Sequence, residues 1–193
     1  MLTLHVHRHR LSNGDLTLRP MTEDDWEPLY RWNNDPEVLY YAEGDDISGR
    51  SLEDVQAIYR GVSQSAFNFM VEYSGMVIGE CWLQRVNLER LLERFPHLDC
   101  RRIDLAIGEK AFWGRAIGTE VIRLLTRFGF EEDHADAIFG CSIADYNPRS
   151  RRAFEKNGYV VVQENVEPEG MKAKLTVDLM LTRERYEENA RCR

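Results

Sequence analysis

The stretch of sequence most able to do chemistry is residues 102–118, which read RIDLAIGEKAFWGRAIG. This pattern predicts a buried strand, a glycine-containing loop and the start of a helix. Residues 113–118 place small side chains at the first helical turn, where backbone N–H groups lack partners and carry the positive end of the helix dipole. Such a turn can bind a pyrophosphate, because small side chains let a ligand approach the backbone. A plain strand-to-helix turn would look the same, so the loop alone leaves both interpretations open.

The elements that must position this loop follow one another as β, α, α, β, β, β, α, β, α, β, β. This order is typical of one mixed α/β domain around a single sheet. Residues 117–130 carry apolar side chains on one broad helical face, and residues 67–73 and 76–83 predict a hairpin. Pro148 is typical of a first helical position, and Gly158 of the residue after a helix. The other predicted elements are strands at 15–19, 102–107, 137–143, 159–163 and 175–181, helices that begin after Thr22 and Ser51, and a short charged helix at 87–95.

The composition predicts a globular protein and excludes several classes. The chain has 193 residues, of which 43% are apolar and 30% charged, and its net charge is −8. A nucleic-acid binder would be basic, so no nucleic-acid partner is expected. The sequence has neither an apolar run long enough to span a membrane nor a signal peptide, and we expect a cytoplasmic protein without a membrane partner. Four cysteines without CxxC spacing indicate free thiols, and no metal site is expected despite three histidines in the first nine residues.

A second motif lies at residues 147–159, which read NPRSRRAFEKNGY. Together with the loop, it resembles the Gcn5-related N-acetyltransferase (GNAT) superfamily, whose acyl-CoA loop is Gln/Arg-x-x-Gly-x-Gly/Ala. The superfamily's later motif is Asn-x-x-Ser/Ala-x-x-x-Tyr/Phe-x-x-x-Gly-Phe/Tyr. The resemblance implies the acyl-CoA N-acyltransferase fold, as a single domain over 1–193 with a core at about 14–182 and mobile termini. The matching positions are Trp113, Ala116, Gly118, Asn147, Ser150, Phe154, Gly158 and Tyr159.

The resemblance also implies acetyl-CoA as the acyl donor, used in direct transfer to an amine. It places the donor on the strand, loop and helix of the first motif and on the second motif. The residues expected to bind it are Leu105, Ile107, Gly114, Arg115, Ala116, Ile117, Gly118, Thr119, Asn147 and Arg152.

Within the superfamily, residues 18–25 resemble the aminoglycoside 6'-N-acetyltransferases as well as their siderophore-acylating and ribosomal-protein-acetylating relatives, whereas residues 54–56 and 102–104 favour the aminoglycoside branch. That branch implies a small polycationic acceptor and gives Asp104 the role of binding the amine and taking its proton. Eleven acids and two bases lie between Glu23 and Asp54, a stretch that forms one wall of the acceptor cleft in the resembled family. A negative wall would attract a polycation, although a solvated acidic face would have the same composition. The residues expected to contact the acceptor are Tyr41, Glu43, Asp45, Glu80, Asp104 and Asp145.

The sequence departs from the loop motif at two positions, and at a third it lacks a hydroxyl that many relatives have. Trp113 replaces the Gln or Arg of the loop, and Ala116 replaces its first Gly. The Ala116 methyl group would approach the pyrophosphate and weaken its binding. Phe154 stands where many relatives have a tyrosine that protonates the departing thiolate, and phenylalanine has no proton to give. Water, Tyr146 or Tyr159 could take that role, or no residue takes it.

Several residues keep a purely structural alternative. Asp104 could pair with Arg101 or Arg102, and Glu80 could lie on the solvated face of its strand. The basic run 149–156 could face solvent or the CoA phosphates, while the charges of 89–94 predict an exposed helix without chemistry.

Two other functions remain open, as does the assembly. One is acetylation of protein N-termini or lysines. The other is a non-catalytic acyl-CoA-binding module, which the departures at Ala116 and Phe154 would suit. The chain could be a monomer or a homodimer.

Overall fold

The computed structural model describes residues 2–42 and 48–191, which form eight strands and seven helices. The strands make one mixed sheet in the order β1-β2-β3-β4-β5-β6-β8-β7. The strands are β1 (Leu11–Asn13), β2 (Leu16–Pro20), β3 (Ala66–Tyr73), β4 (Met76–Arg85), β5 (Cys100–Ala106), β6 (Ala137–Ala144), β7 (Val160–Val166) and β8 (Leu175–Thr182). The helices are α1 (Trp26–Trp32), α2 (Pro36–Ala42), α3 (Leu52–Val62), α4 (Glu89–Arg94), α5 (Ile117–Glu131), α6 (Pro148–Glu155) and α7 (Arg183–Arg191).

The predicted mixed α/β fold is confirmed, and α5 shows why the sequence pattern was informative. Its side chains at Val121, Leu125 and Phe128 are all buried against one face of the sheet. Helix α6 begins as expected, with the Asn147 side chain accepting the Ser150 N–H while Pro148 follows the cap. The opposite face of the sheet is covered by a second apolar cluster that includes residues of α1, α2 and α3.

Strands β5 and β6 separate along their length, and this separation creates the space for a site. They pair in parallel only at Cys100–Arg102 with Ala137–Phe139, although both strands continue beyond these residues. On the other side of β6, the pairing with β8 is interrupted by a bulge between Gly140 and Ile143. The sheet therefore opens as a wedge between two strands in its interior.

The ends of the described chain are packed where the sequence favoured loose segments. Residues 183–191 form α7, which has no fully buried residue but stacks its Tyr186 ring on Phe130 with centroids 4.8 Å apart. At the other end, the Leu4 side chain is buried. Within the described ranges, no helix has the length and apolarity needed to cross a membrane.

His7 gives this packed N-terminal segment a pH-dependent stability. Its ring lies 4.4 Å from that of Phe69, its Nε2 is 2.9 Å from the Asn68 carbonyl oxygen, and burial lowers its pKa from 6.5 to about 4. Unfolded His7 binds a proton near pH 6.5 and folded His7 does not, so stability should fall as the pH drops from 6.5 towards 4. Because the His7 side chain is partly exposed, we expect the free energy of unfolding at pH 5 to be lower than at pH 7 by about 1 kcal/mol, which corresponds to roughly 2–4 °C in Tm.

The comparison that tests this is thermal melting of the wild type and His7→Gln at pH 7 and pH 5. Glutamine keeps an N–H for the Asn68 carbonyl but does not titrate in this range. The neighbouring titratable groups, His5, His9 and Glu132, are the same in both proteins. An equal loss of Tm in the two proteins would contradict the role of His7.

Candidate functional site

Two clefts meet where β5 and β6 separate. The first has a volume of about 410 Å³ and lies among α2, β5, α5 and α6. The second has a volume of about 300 Å³ and lies between the diverging ends of β5 and β6. The clefts share lining residues, among them Tyr41, Leu105 and Asn147. The two clefts therefore adjoin along these residues.

The N-terminus of α5 forms one wall of the first cleft. Ala116 caps the helix in a left-handed conformation, with φ +60°, and its carbonyl accepts the N–H groups of Thr119 and Glu120. The N–H groups of Ile117 and Gly118 come before these first helical bonds and are free to meet an anion. All the residues predicted to bind the donor line this cleft except Arg115, whose guanidinium lies 5.1 Å from the centroid of the Phe112 ring.

Helix α6 supplies positive charge to the opposite wall. Arg149, Arg152 and Lys156 line the first cleft, whereas Arg151 turns away and binds Glu155 at 2.8 Å. Among the described residues, no carboxylate lies within ion-pair distance of the three cleft-lining cations. From the sequence, the basic run 149–156 could face either solvent or the CoA phosphates. In the structure, Arg149, Arg152 and Lys156 face the first cleft and Arg151 does not.

Arg149 lies against the two aromatic rings of the first cleft. Its guanidinium carbon is 4.5 Å from the centroid of Tyr41 and 5.0 Å from that of Trp113. Trp113 is itself anchored, because its Nε1–H donates to the Ile107 carbonyl oxygen at 2.6 Å. The family motif has a polar or cationic residue at position 113, and here Arg149 brings a cation to the face of the tryptophan that replaces it.

Asp104 lines the second cleft, directly beside the shared wall. Arg102 holds its carboxylate with two hydrogen bonds, of 2.7 Å from Nε and 2.5 Å from Nη2, and Trp82 Nε1–H donates at 3.1 Å. The counter-ion expected under the structural alternative is therefore present, and it is Arg102; Arg101 binds Asp99 and Asp133. The Asp104 side chain remains 25% exposed, so its oriented carboxylate can still accept a proton or a hydrogen bond from the cleft.

The structure separates the other residues predicted to contact the acceptor. Tyr41 lines both clefts. Glu80 is only 6% exposed on the same sheet face as Asp104, and it is not among the described lining residues of either cleft. Asp145 is exposed after β6 and is also not among those lining residues, although its neighbours Ala144 and Tyr146 are. Glu43 and Asp45 lie outside the described residues.

The acidic stretch at residues 23–54 is partly neutralised by bases from elsewhere in the chain. Lys110 Nζ lies 2.9 Å from Asp35 Oδ2 and 3.2 Å from Glu37 Oε2. Asp25 is buried and receives two hydrogen bonds from Arg19. The sequence count therefore overstates the negative charge that the described part of this wall presents to a ligand.

The structure narrows the possible proton donors and nucleophiles. Tyr159 is buried, its hydroxyl is 2.7 Å from that of Thr126, and burial raises its pKa, so it cannot serve as a general acid. Phe154 and Tyr146 line the second cleft, and of these only Tyr146 has a proton to give. Cys141 also lines it, but burial raises the pKa of this thiol to about 12, which leaves almost no thiolate for a covalent relay at neutral pH.

Glu167 is a cleft residue that sequence reasoning missed. It lies in the turn between β7 and β8 and lines the second cleft, where Thr176 Oγ1 donates to its Oε1 at 2.7 Å. A glutamate in the sequence EPEG looks like an ordinary solvated turn, so the sequence carried no signal of its position. In the described ranges, no cluster of three or more His, Cys, Asp or Glu side chains could hold a metal ion.

Comparison with known proteins confirms the family and the fold. Residues 15–160 match the family described as acetyltransferase (GNAT) domain. The chain is 25% identical over 185 residues to an aminoglycoside N(6')-acetyltransferase type 1 of Serratia marcescens, covering 93% of this chain and 89% of the relative. It is 26% identical over 153 residues to the protein of the same name from Klebsiella pneumoniae, covering 77% and 75%.

Among solved structures, a similar one is the crystal structure of aminoglycoside acetyltransferase AAC(6')-Ib in complex with coenzyme A and kanamycin. It has a TM-score of 0.72 and 23% identity, and the match covers 91% of this chain and 99% of that one. The same fold is thus shared over nearly the whole length of both proteins. With the family match extending over most of the chain, this protein belongs to the GNAT family of acetyltransferases.

Proposed function

We propose that this enzyme transfers the acetyl group of acetyl-CoA to a primary amine of a small polycationic molecule, with the 6'-amino group of an aminoglycoside as the preferred acceptor. The observation that carries the proposal is the meeting of the two clefts. One has a helix N-terminus and three cations for a diphosphate, and the other has the Asp104 carboxylate for an ammonium. The names of the Serratia and Klebsiella relatives support the choice of acceptor.

The residues of the first cleft fit the phosphate groups of the donor. The amides of Ile117 and Gly118 would face the diphosphate, and Arg149 and Arg152 would oppose its charge from α6. Gly118 lines this cleft and has no side chain to keep a ligand from its backbone. Bound there, acetyl-CoA supplies an activated thioester carbonyl to the shared wall.

The residues of the second cleft fit the acceptor. Asp104 would bind the ammonium and remove one proton, directly or through a water, because only the free amine has a lone pair. The amine nitrogen then forms a bond to the thioester carbonyl carbon, and the carbon–sulfur bond breaks. The nitrogen gives its second proton to solvent as the amide forms, and the thiolate leaves as CoA and takes a proton from water or from Tyr146. Glu167, at the turn between β7 and β8, would offer a second carboxylate to a further amine of the acceptor.

The assay that tests this proposal supplies purified protein with acetyl-CoA and kanamycin and follows thiol release with a chromogenic disulfide. We expect release that depends on kanamycin and yields a monoacetylated product by mass spectrometry. Release only with peptides would replace the aminoglycoside with a protein acceptor. Thermal stabilisation by CoA without release on any amine would show a binding module instead.

Ala116→Gly should strengthen donor binding. Ala116 has φ +60° and lines the first cleft, so its methyl group both strains the backbone and faces the diphosphate. We expect the Kd for CoA to fall by roughly two- to fivefold, with little change in Tm, because relief of strain and the greater freedom of glycine in the unfolded chain offset each other. Isothermal titration calorimetry measures this, and weaker CoA binding by the glycine variant would contradict it.

A further inference from the structure

Asp178 on β8 is a fully buried charge outside the residues assigned so far. Its exposed fraction is 0%, and Arg90 Nε and Nη2 each donate to one carboxylate oxygen at 2.9 Å. The sequence assigned Arg90 to an exposed charged helix, but its guanidinium reaches from α4 to this buried acid. Burial opposes ionisation of Asp178, yet the hydrogen bonds from Arg90 and the Ser142 N–H outweigh it and lower the pKa.

Both members of this pair hold Ser142. The Ser142 N–H donates to Asp178 Oδ1 at 2.8 Å, and Arg90 Nη2 donates to Ser142 Oγ at 2.9 Å. Ser142 lies in the bulge of β6 and has φ +51°, a left-handed conformation that L-residues other than glycine adopt only at a cost. The ion pair therefore stabilises a backbone conformation that is unfavourable for serine on its own.

The bulge of β6 forms part of the wall of the second cleft. Pairing of β5 with β6 ends at Arg102 and Phe139, immediately before the bulge. Ser142 and its neighbour Ile143 then line the second cleft together with Asp104 on β5. Bulges redirect strands and are frequent beside active sites. Here the bulge lies on the strand that forms the wall across from Asp104.

We propose that Arg90 and Asp178 are a positioning pair for the acceptor site, which hold Ser142 in its left-handed conformation and so keep β6 bent away from Asp104. This inference rests on the proposed function, because it takes the second cleft as the place of the acceptor. Neither side chain lines that cleft among the described residues, so the pair acts through Ser142.

The test replaces both members of the pair with apolar side chains, in the double variant Arg90→Met with Asp178→Leu. Replacing both charges of a buried pair is tolerated better than removing one, which leaves the other charge buried without a partner. We expect the KM for the acceptor to rise about tenfold, which matches the cost of holding one residue in the left-handed conformation without the ion pair. The KM for acetyl-CoA should stay within about twofold. Adding Ser142→Gly should recover much of the loss, because glycine takes positive φ freely. Hydrogen exchange across residues 139–146 should increase in the double variant and return towards wild type in the triple variant.

The control is Arg101→Met with Asp133→Leu, an ion pair at the other end of β5 whose arginine is buried, which should lower Tm without changing the KM for the acceptor. An unchanged acceptor KM in the Arg90 and Asp178 variant, or equal changes in both KM values without recovery by glycine, would overturn the positioning role. If the wild type acetylates no amine, the proposed function fails. Hydrogen exchange then decides the inference, and unchanged exchange across the bulge would refute it.

Discussion

Asp104→Asn should lower kcat for amine acetylation by about 100- to 10,000-fold, the range typical of a lost general base. Asparagine keeps the size of the side chain and an oxygen for Trp82 Nε1–H, but it cannot take a proton from the acceptor. The first cleft is built from other residues, so the Kd for CoA should stay near the wild-type value. Steady-state kinetics and calorimetric titration with CoA measure the two quantities separately.

A change of acceptor distinguishes proton removal from simple loss of an ion pair. An amine of low pKa is already unprotonated at neutral pH, so it needs no base, and with it the defect of Asp104→Asn should shrink by at least about tenfold. Asp15→Asn is the matched control, since Asp15 is exposed and is not among the described lining residues of either cleft. Wild-type turnover by Asp104→Asn would show that Asp104 only balances the charge of Arg102.

Arg149→Ala should raise the Kd for CoA by about tenfold or more, the effect of losing one charge-assisted hydrogen bond to a phosphate. The side chain lies against Tyr41 and Trp113 inside the first cleft, and among the described residues it has no carboxylate partner that would compete for it. The effect should diminish as salt rises, because it is electrostatic.

Two controls give this prediction its specificity. Arg151→Ala removes the same charge from the same helix, but Arg151 binds Glu155 and turns away from the cleft, so CoA affinity should change less than about twofold. Acetylpantetheine lacks the nucleotide and its diphosphate, so its KM should be the same for the wild type and Arg149→Ala. A large effect of Arg149→Ala on acetylpantetheine would place the arginine's role at the acyl end instead.

The fold was readable from the sequence wherever local chemistry and burial agreed. The apolar face of α5, the Asn147 cap and Pro148 all gave local signals, and these elements carry the first cleft. The family motifs then directed attention to the turn at the start of α5 and to Asp104, which line the first and the second cleft. A motif defines a backbone path, so it transfers well even when a side chain such as Ala116 departs from it.

The contacts that were missed join residues far apart in the chain. Asp178 and Arg90 are separated by 88 positions, and a charged helix that faces solvent has the same sequence pattern as one that sends a single arginine inward. Glu167 reaches its cleft through a turn whose direction depends on the β7–β8 pairing. Lys110 neutralises Asp35 across 75 positions, which a count of charges along the sequence cannot show.

The interrupted pairing of β5 with β6 also has a mechanical meaning. Strands β1 to β5 and strands β6 to β8 are joined within the sheet by only three residue pairs, at Cys100–Arg102 and Ala137–Phe139. The sheet therefore has a seam, along which its halves can fluctuate with little loss of backbone hydrogen bonding. Because the second cleft opens at this seam, a ligand bound there contacts both halves of the sheet at once.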